Sequence, residues 1–92
     1  MSNRVALVTG GGQGIGQGIS EVLGGRGFRV AVADLNPETA QATAQSIIES
    51  GGTAIAVTVD VSDTASVQAA VKTVTDELGP VSMMMGSTPT VV

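Results

Sequence analysis

The feature that most constrains this chain is a glycine-rich stretch that joins an apolar run to a helical pattern. Residues 5–16 read Val-Ala-Leu-Val-Thr-Gly-Gly-Gly-Gln-Gly-Ile-Gly. A strand that ends in a glycine turn and continues into a helix brings backbone N–H groups and the positive end of the helix dipole to one point. Since such a point attracts anions, the sequence predicts a place where a diphosphate binds.

Strand-like and helical patterns alternate along the rest of the chain. Apolar runs at residues 4–9, 29–34 and 54–59 predict three strands, and residues 81–85 predict the beginning of a fourth. Between them, apolar residues recur at helical spacing and predict one buried, apolar face on each helix. These residues are Ile15, Ile19, Val22 and Leu23, then Ala40, Ala44, Ile47 and Ile48, then Val67, Val71, Val74 and Leu78. We therefore expect an α/β fold with a Rossmann-like parallel sheet, strand order 3-2-1-4, forming the N-terminal half of a doubly wound fold.

Capping signals mark the ends of the predicted helices. Asn36 is a typical N-cap and Pro37 a typical first helical residue, while Gly51 and Gly52 predict the end of the second helix. Either Ser62 or Asp63 is expected to cap the third helix.

Composition excludes several classes of function. Ninety-two residues make one small domain at most, and the sequence has no cysteine or histidine, so we expect no disulfide and no metal site. The formal net charge is −4 and the four basic residues are scattered, which does not fit a nucleic-acid surface. No apolar run approaches the ~20 residues of a membrane span, and no secretion signal is present, so we expect a cytoplasmic protein.

The glycines of the loop have distinct expected roles. Gly10 would make the tight turn, Gly14 would let the backbone approach a diphosphate, and Gly16 would let the helix pack closely on the sheet. A nucleotide-hydrolysing P-loop is not expected, because Gln17 and Gly18 stand where that motif needs Lys and Ser or Thr. A strand–helix turn without a ligand is the alternative.

Asp34 closes the second predicted strand, eighteen residues after Gly16. A carboxylate there can accept hydrogen bonds from the ribose hydroxyls of an adenosine, and it would repel a 2′-phosphate. Because Leu35 and Asn36 follow it rather than a basic residue, the sequence favours NAD over NADP. The alternative is that Asp34 caps the second helix, although Asn36 is already suited to that role.

These segments resemble the short-chain dehydrogenase/reductase family. Residues 11–16, 33–36 and 59–63 look most like the acetoin/diacetyl reductases and butanediol dehydrogenases of that family. The resemblance implies that Asp60 accepts a hydrogen bond from the adenine amino group; capping of the third helix by Asp60 remains an alternative. It implies cofactor contacts from ten residues: Thr9, Gly10, Gln13, Gly14, Ile15, Gly16, Asp34, Leu35, Asp60 and Val61.

The resemblance covers residues 3–81, about the first third of a typical family member, and ends after Val81. Gly86-Ser87-Thr88-Pro89 stands where the family has Asn-Asn-Ala-Gly, and the family's catalytic Asn, Ser, Tyr and Lys have no counterparts here. We therefore expect a truncated dinucleotide-binding half-domain at residues 1–81 and a divergent tail at residues 82–92, with no activity alone.

Three hypotheses follow for what this chain is. The first is the NAD(H)-binding portion of an oxidoreductase that acts on a small ketone or alcohol. The second is a non-catalytic nucleotide-binding module. The third is a remnant that binds nothing and self-associates through the exposed edge of the fourth strand, around Met83–Met85.

Overall fold

The structure is a computed structural model that describes residues 4–10, 14–60 and 62–86. Strands and helices alternate in it. Their bounds are β1 (Val5–Thr9), α1 (Gly14–Gly25), β2 (Arg29–Asp34), α2 (Pro37–Glu49), β3 (Thr53–Thr58), α3 (Thr64–Glu77) and β4 (Met83–Gly86). The predicted α/β class is confirmed.

The four strands form one sheet in the order β3-β2-β1-β4, and every neighbouring pair is parallel. β1 and β2 are the inner strands, and Val8 and Val32 form one of their paired positions. Both residues are fully buried, as are most of their neighbours. Near-continuous apolar runs are what a strand covered on both faces requires.

Helices cover both faces of the sheet. On one face, residues of α1 and α2 such as Leu23, Ala44 and Ile47 pack with Val30 and Val32 of β2. On the other face, Val74 and other residues of α3 pack with β1, β2 and β3. The carboxyl ends of all four strands consequently lie along one edge of the layered structure.

Two residues that were expected on buried helix faces are exposed instead. Val22 is 56% exposed and Ile48 is 45% exposed, so their predicted burial is wrong. The buried side of α1 carries small residues, Gly16, Ser20 and Gly24. A Cβ added at Gly24 would lie 2.7 Å from Cγ2 of Ile47. α1 therefore approaches α2 closely at Gly24, and Val22 lies on the exposed side of the helix.

The helix ends follow the capping signals. The Asn36 side chain accepts hydrogen bonds from the backbone N–H groups of Glu38 and Thr39, and Asp63 does the same for Ala65 and Ser66. α2 ends where Gly51 takes a φ of +97°, and Gly52 N–H donates to the Ile47 carbonyl at 2.9 Å. The caps of α2 and α3 are thus Asn36 and Asp63, which leaves Asp34 and Asp60 without that role.

Candidate dinucleotide site

The glycine turn lies at the carboxyl end of β1. Thr9 is paired with Ala33 of β2 and with Gly86 of β4, and Gly10 follows it with a φ of +66°. That left-handed conformation favours glycine because it has no Cβ. Gln13, predicted to contact a cofactor, lies outside the described residues. Gly10 is the first residue after β1, so the chain leaves the sheet at its carboxyl edge there.

α1 begins at Gly14, which has a φ of +55°. A Cβ added at Gly14 would meet nothing within 4 Å, so the side of the backbone that a ligand would approach is open. The first turn of α1 carries no acidic residue, and the positive end of its dipole is not offset there. The charge at the start of this helix therefore favours an anion.

The first turn of α1 is also bonded to the next turn of the same helix. Gly16 is buried, and its carbonyl accepts a hydrogen bond of 2.9 Å from the fully buried Ser20 hydroxyl. Ile15 lies between Gly14 and Gly16 in this turn; its side chain is outside the described part of the structure. Gly16 is buried, and its role in close packing of the helix on the sheet stays a prediction.

Asp34 ends β2, next to the glycine turn. It is half-buried, and its Oδ1 accepts a hydrogen bond of 3.2 Å from the backbone N–H of Asn36. Leu35, the next residue, is 67% exposed. A half-buried carboxylate followed by an exposed apolar side chain offers an acceptor and an apolar surface side by side.

Asp60 lies two residues beyond β3 and is held by the turn that leads into α3. Its Oδ1 accepts hydrogen bonds from the Ser62 hydroxyl at 2.6 Å and from the Ser62 backbone N–H at 3.0 Å. These two bonds favour the ionised form and hold the pKa of the Asp60 carboxyl below its usual value. Val61, also predicted to contact a cofactor, lies outside the described residues.

The sheet brings these predicted residues to one edge. Asp34 is paired with Thr58 of β3, and the Val59 N–H donates to the Asp34 carbonyl at 3.0 Å. Thr9 and Asp34 are the last residues of β1 and β2, and Asp60 comes two residues after β3, so all three lie at the carboxyl ends of adjacent strands. Parallel α/β sheets bind ligands at such ends.

The basic residues lie elsewhere. Arg4, Arg26 and Arg29 line a cleft of about 950 Å³ at the amino ends of the strands, and Arg29 donates to the Leu78 carbonyl at 2.9 Å. Lys72 pairs with Asp76 on α3 at 3.2 Å. Since these are the four basic residues of the sequence, the carboxyl edge carries none of them.

Sequence reasoning missed Ser62 and Ser66 as partners of Asp60. The Ser66 hydroxyl accepts a hydrogen bond of 3.0 Å from the Asp60 backbone N–H. The spacing Asp-x-Ser is a signal for a side-chain turn, in which the carboxylate bonds the backbone two residues on. That signal stands at Asp60-Val61-Ser62 and could have predicted the fixed carboxylate.

Residues 4–10, 14–60 and 62–86 contain no candidate membrane-spanning helix and no candidate metal-binding cluster. None of the helices in these ranges combines the length and the apolar character of a membrane span. No group of three or more acidic, histidine or cysteine side chains there is arranged to hold a metal ion.

The chain is similar to known dehydrogenases over most of its length. L-2,3-butanediol dehydrogenase of Corynebacterium glutamicum is 40% identical over 87 residues, which cover 92% of this chain and 34% of that protein. Sorbitol dehydrogenase of Cereibacter sphaeroides is 37% identical over 87 residues, covering 95% of this chain and 33% of that protein. The chain thus spans about a third of the length of these curated relatives.

A solved structure gives the same result for the fold. The crystal structure of hydroxysteroid dehydrogenase from Escherichia coli superposes with a TM-score of 0.88 at 29% sequence identity, covering 90% of this chain and 35% of that one. The family model for short chain dehydrogenases matches residues 4–88. With this match and these relatives, the chain belongs to the short-chain dehydrogenase family.

Proposed function

We propose that this chain binds the adenosine and diphosphate part of NAD(H) at the carboxyl edge of its sheet. Membership of the family implies a nicotinamide cofactor, NAD or NADP. The observation that carries the choice of NAD is Asp34, a half-buried carboxylate at the end of β2 on an edge without basic side chains. A carboxylate accepts from ribose hydroxyls and repels a 2′-phosphate, which would need a nearby Arg.

The remaining site residues have separate roles in this proposal. Thr9, Gly10, Gln13, Gly14, Ile15 and Gly16 form the diphosphate-binding turn; Leu35 and Val61 line the adenosine pocket, and Asp60 accepts from adenine. The open side of Gly14 and the start of α1 support the first group. The ionised, exposed carboxylate of Asp60 supports the last role.

The whole protein, in this proposal, transfers hydride between NAD(H) and a small alcohol or ketone. Relatives named for butanediol, sorbitol and threitol support a substrate of that class. The hydride chemistry belongs to the cofactor, and the residues described above bind and orient it. In this proposal the dinucleotide-binding unit spans residues 1–81 and residues 82–92 follow it; β4 lies in the first part of that tail and pairs with β1 of the unit.

We also propose that the 92 residues alone do not catalyse this reaction. The sequence contains no tyrosine, and its single lysine, Lys72, is paired with Asp76 on α3. No lysine–tyrosine pair can therefore move a proton to or from a substrate oxygen.

Calorimetric titration of the chain with NAD and NADP tests the proposal. We expect saturable binding of NAD, weaker binding of NADP, and a loss of about tenfold or more in NAD affinity for Asp34→Ala, since hydrogen bonds to a charged group are lost. Asp76→Ala is the matched control, because it removes an exposed aspartate on α3. Equal affinity for NAD in the wild type and Asp34→Ala would contradict the assignment of Asp34.

Self-association through β4 is a second candidate behaviour. β4 pairs with β1 on one side and is the last strand of the described sheet on the other. An unpaired strand edge can pair with another chain. Sedimentation at increasing protein concentration should then show a rising mass, and a constant monomer mass would exclude this behaviour.

A further inference from the structure

The carboxylate of Asp60 is held at one oxygen. Oδ1 accepts both bonds from Ser62, the shorter one being the hydroxyl bond of 2.6 Å, and no described residue donates to Oδ2. The backbone of Asp60 is fixed as well, because its N–H donates to the Ser66 hydroxyl and its carbonyl accepts from the Asp63 N–H at 3.0 Å. One carboxylate oxygen is therefore presented to solvent in a defined orientation.

The Ser62 hydroxyl is not needed to start α3. Asp63 provides the cap of that helix through its own bonds to the N–H groups of Ala65 and Ser66. The Ser62 backbone N–H already closes the turn on Asp60. The additional hydroxyl bond therefore acts on the direction of the carboxylate and on its ionisation, rather than on the formation of the helix.

We propose that Ser62 is a positioning residue, which orients Oδ2 of Asp60 to accept a hydrogen bond from the amino group of a purine base and so makes the site selective for adenine. This inference rests on the proposed function, since it places the base of the dinucleotide beside Asp60. A carboxylate accepts from an amino group and repels a carbonyl oxygen at the same position. The hypoxanthine analogue of NAD has such a carbonyl in place of the amino group.

The test compares NAD with its hypoxanthine analogue by calorimetric titration of the wild-type chain and of Ser62→Ala. We expect the wild type to prefer NAD by about tenfold, as a charge-assisted hydrogen bond would give. Ser62→Ala should lose most of that preference, through weaker NAD binding at nearly constant affinity for the analogue. Ser62→Thr, which keeps the hydroxyl, should restore the preference.

Control measurements separate positioning from a loss of structure. Ser46→Ala removes an exposed serine from α2, away from Asp60, and should leave both affinities unchanged. Far-ultraviolet circular dichroism of each variant verifies that it is folded. Asp60→Asn should lose the same preference as Ser62→Ala.

The outcomes are distinct for the two proposals. Suppose that the wild type binds NAD, and that Ser62→Ala either weakens the binding of NAD and of the analogue equally or weakens the binding of neither. The role of Ser62 in selectivity is then refuted, and the proposed function stands. If the folded wild type binds neither dinucleotide, the proposed function fails and this inference fails with it.

Discussion

The contact between α1 and α2 predicts opposite effects for two glycine-to-alanine substitutions in one helix. Gly18 and Gly24 both lie within α1, where glycine costs about 1 kcal/mol relative to alanine. A Cβ at Gly18 would meet nothing within 4 Å. We therefore expect Gly18→Ala to raise the free energy of unfolding by up to about 1 kcal/mol.

Gly24→Ala would bring the same gain in helix propensity but also a steric clash. Its Cβ would lie 2.7 Å from Cγ2 and 3.3 Å from Cγ1 of Ile47, whereas carbon atoms pack best at about 3.5–4.0 Å. Ile47 is only 2% exposed, so its side chain cannot move into solvent. Overpacking costs about 1–3 kcal/mol. The free energy of unfolding should then fall by up to about 2 kcal/mol.

Gly52→Ala extends the series. Its Cβ would lie 2.7 Å from the same Cγ2 of Ile47, 3.2 Å from the Ile47 carbonyl oxygen and 3.4 Å from the Gly24 carbonyl oxygen. Two of these atoms belong to the backbone and cannot rotate away. Gly52 lies outside the helices, so no helix propensity offsets the clash. We expect it to be the least stable variant of the three.

Urea denaturation followed by circular dichroism at 222 nm is the suitable assay, because the sequence has no tryptophan or tyrosine for fluorescence. The expected order of stability is Gly18→Ala, wild type, Gly24→Ala, Gly52→Ala. A difference of 1 kcal/mol corresponds to about 4–8 °C in Tm for a domain of this size. If Gly24→Ala were as stable as Gly18→Ala, the close approach of α1 to Ile47 would be refuted.

Two further predictions concern the cap of α2 and the ionisation of Asp60. Asn36→Ala should lower the free energy of unfolding by about 1 kcal/mol, because it removes the side chain that accepts from the N–H groups of Glu38 and Thr39; an unchanged urea midpoint would contradict the cap. Ser62→Ala should raise the pKa of Asp60 toward its usual value of 3.8, as measured by carboxyl ¹³C NMR. Because the folded-state pKa is lowered, the stabilisation from Asp60 is present above its unfolded pKa and is lost only as the pH falls through the folded value. Ser62→Ala should therefore leave the pH dependence of stability unchanged above about pH 5. An unmoved titration curve for Asp60 would show that the Ser62 bonds do not affect its carboxyl.

Local signals in the sequence determined the elements and their ends. Asn36 and Pro37 predict the start of α2 because a side-chain acceptor and a fixed φ act within one turn of the chain. Gly51 predicts its end because a positive φ is easiest for glycine. These effects need no distant contact, and the structure has them where the sequence predicts them.

The sequence also predicted which residues follow the strand ends, and hence most of the candidate site. Thr9, Asp34 and Asp60 each come at or just after an apolar run, and a parallel sheet brings such positions to one edge. Their function stays a prediction. Their shared location depends only on topology, which the order of strands and helices already indicated.

Only the tertiary structure decided which side of each helix is buried and how the site carboxylates are held. Val22 and Ile48 have the helical spacing of core residues, yet both are exposed, and the close contact between the two helices lies at Gly24 and Ile47 instead. Helical periodicity gives the candidates for a buried face, but the distance to the neighbouring helix selects among them, and that distance depends on residues far apart in the chain. The gathering of Arg4, Arg26 and Arg29 at the opposite end of the sheet has the same cause, since residues scattered in sequence meet only where the strands are placed side by side.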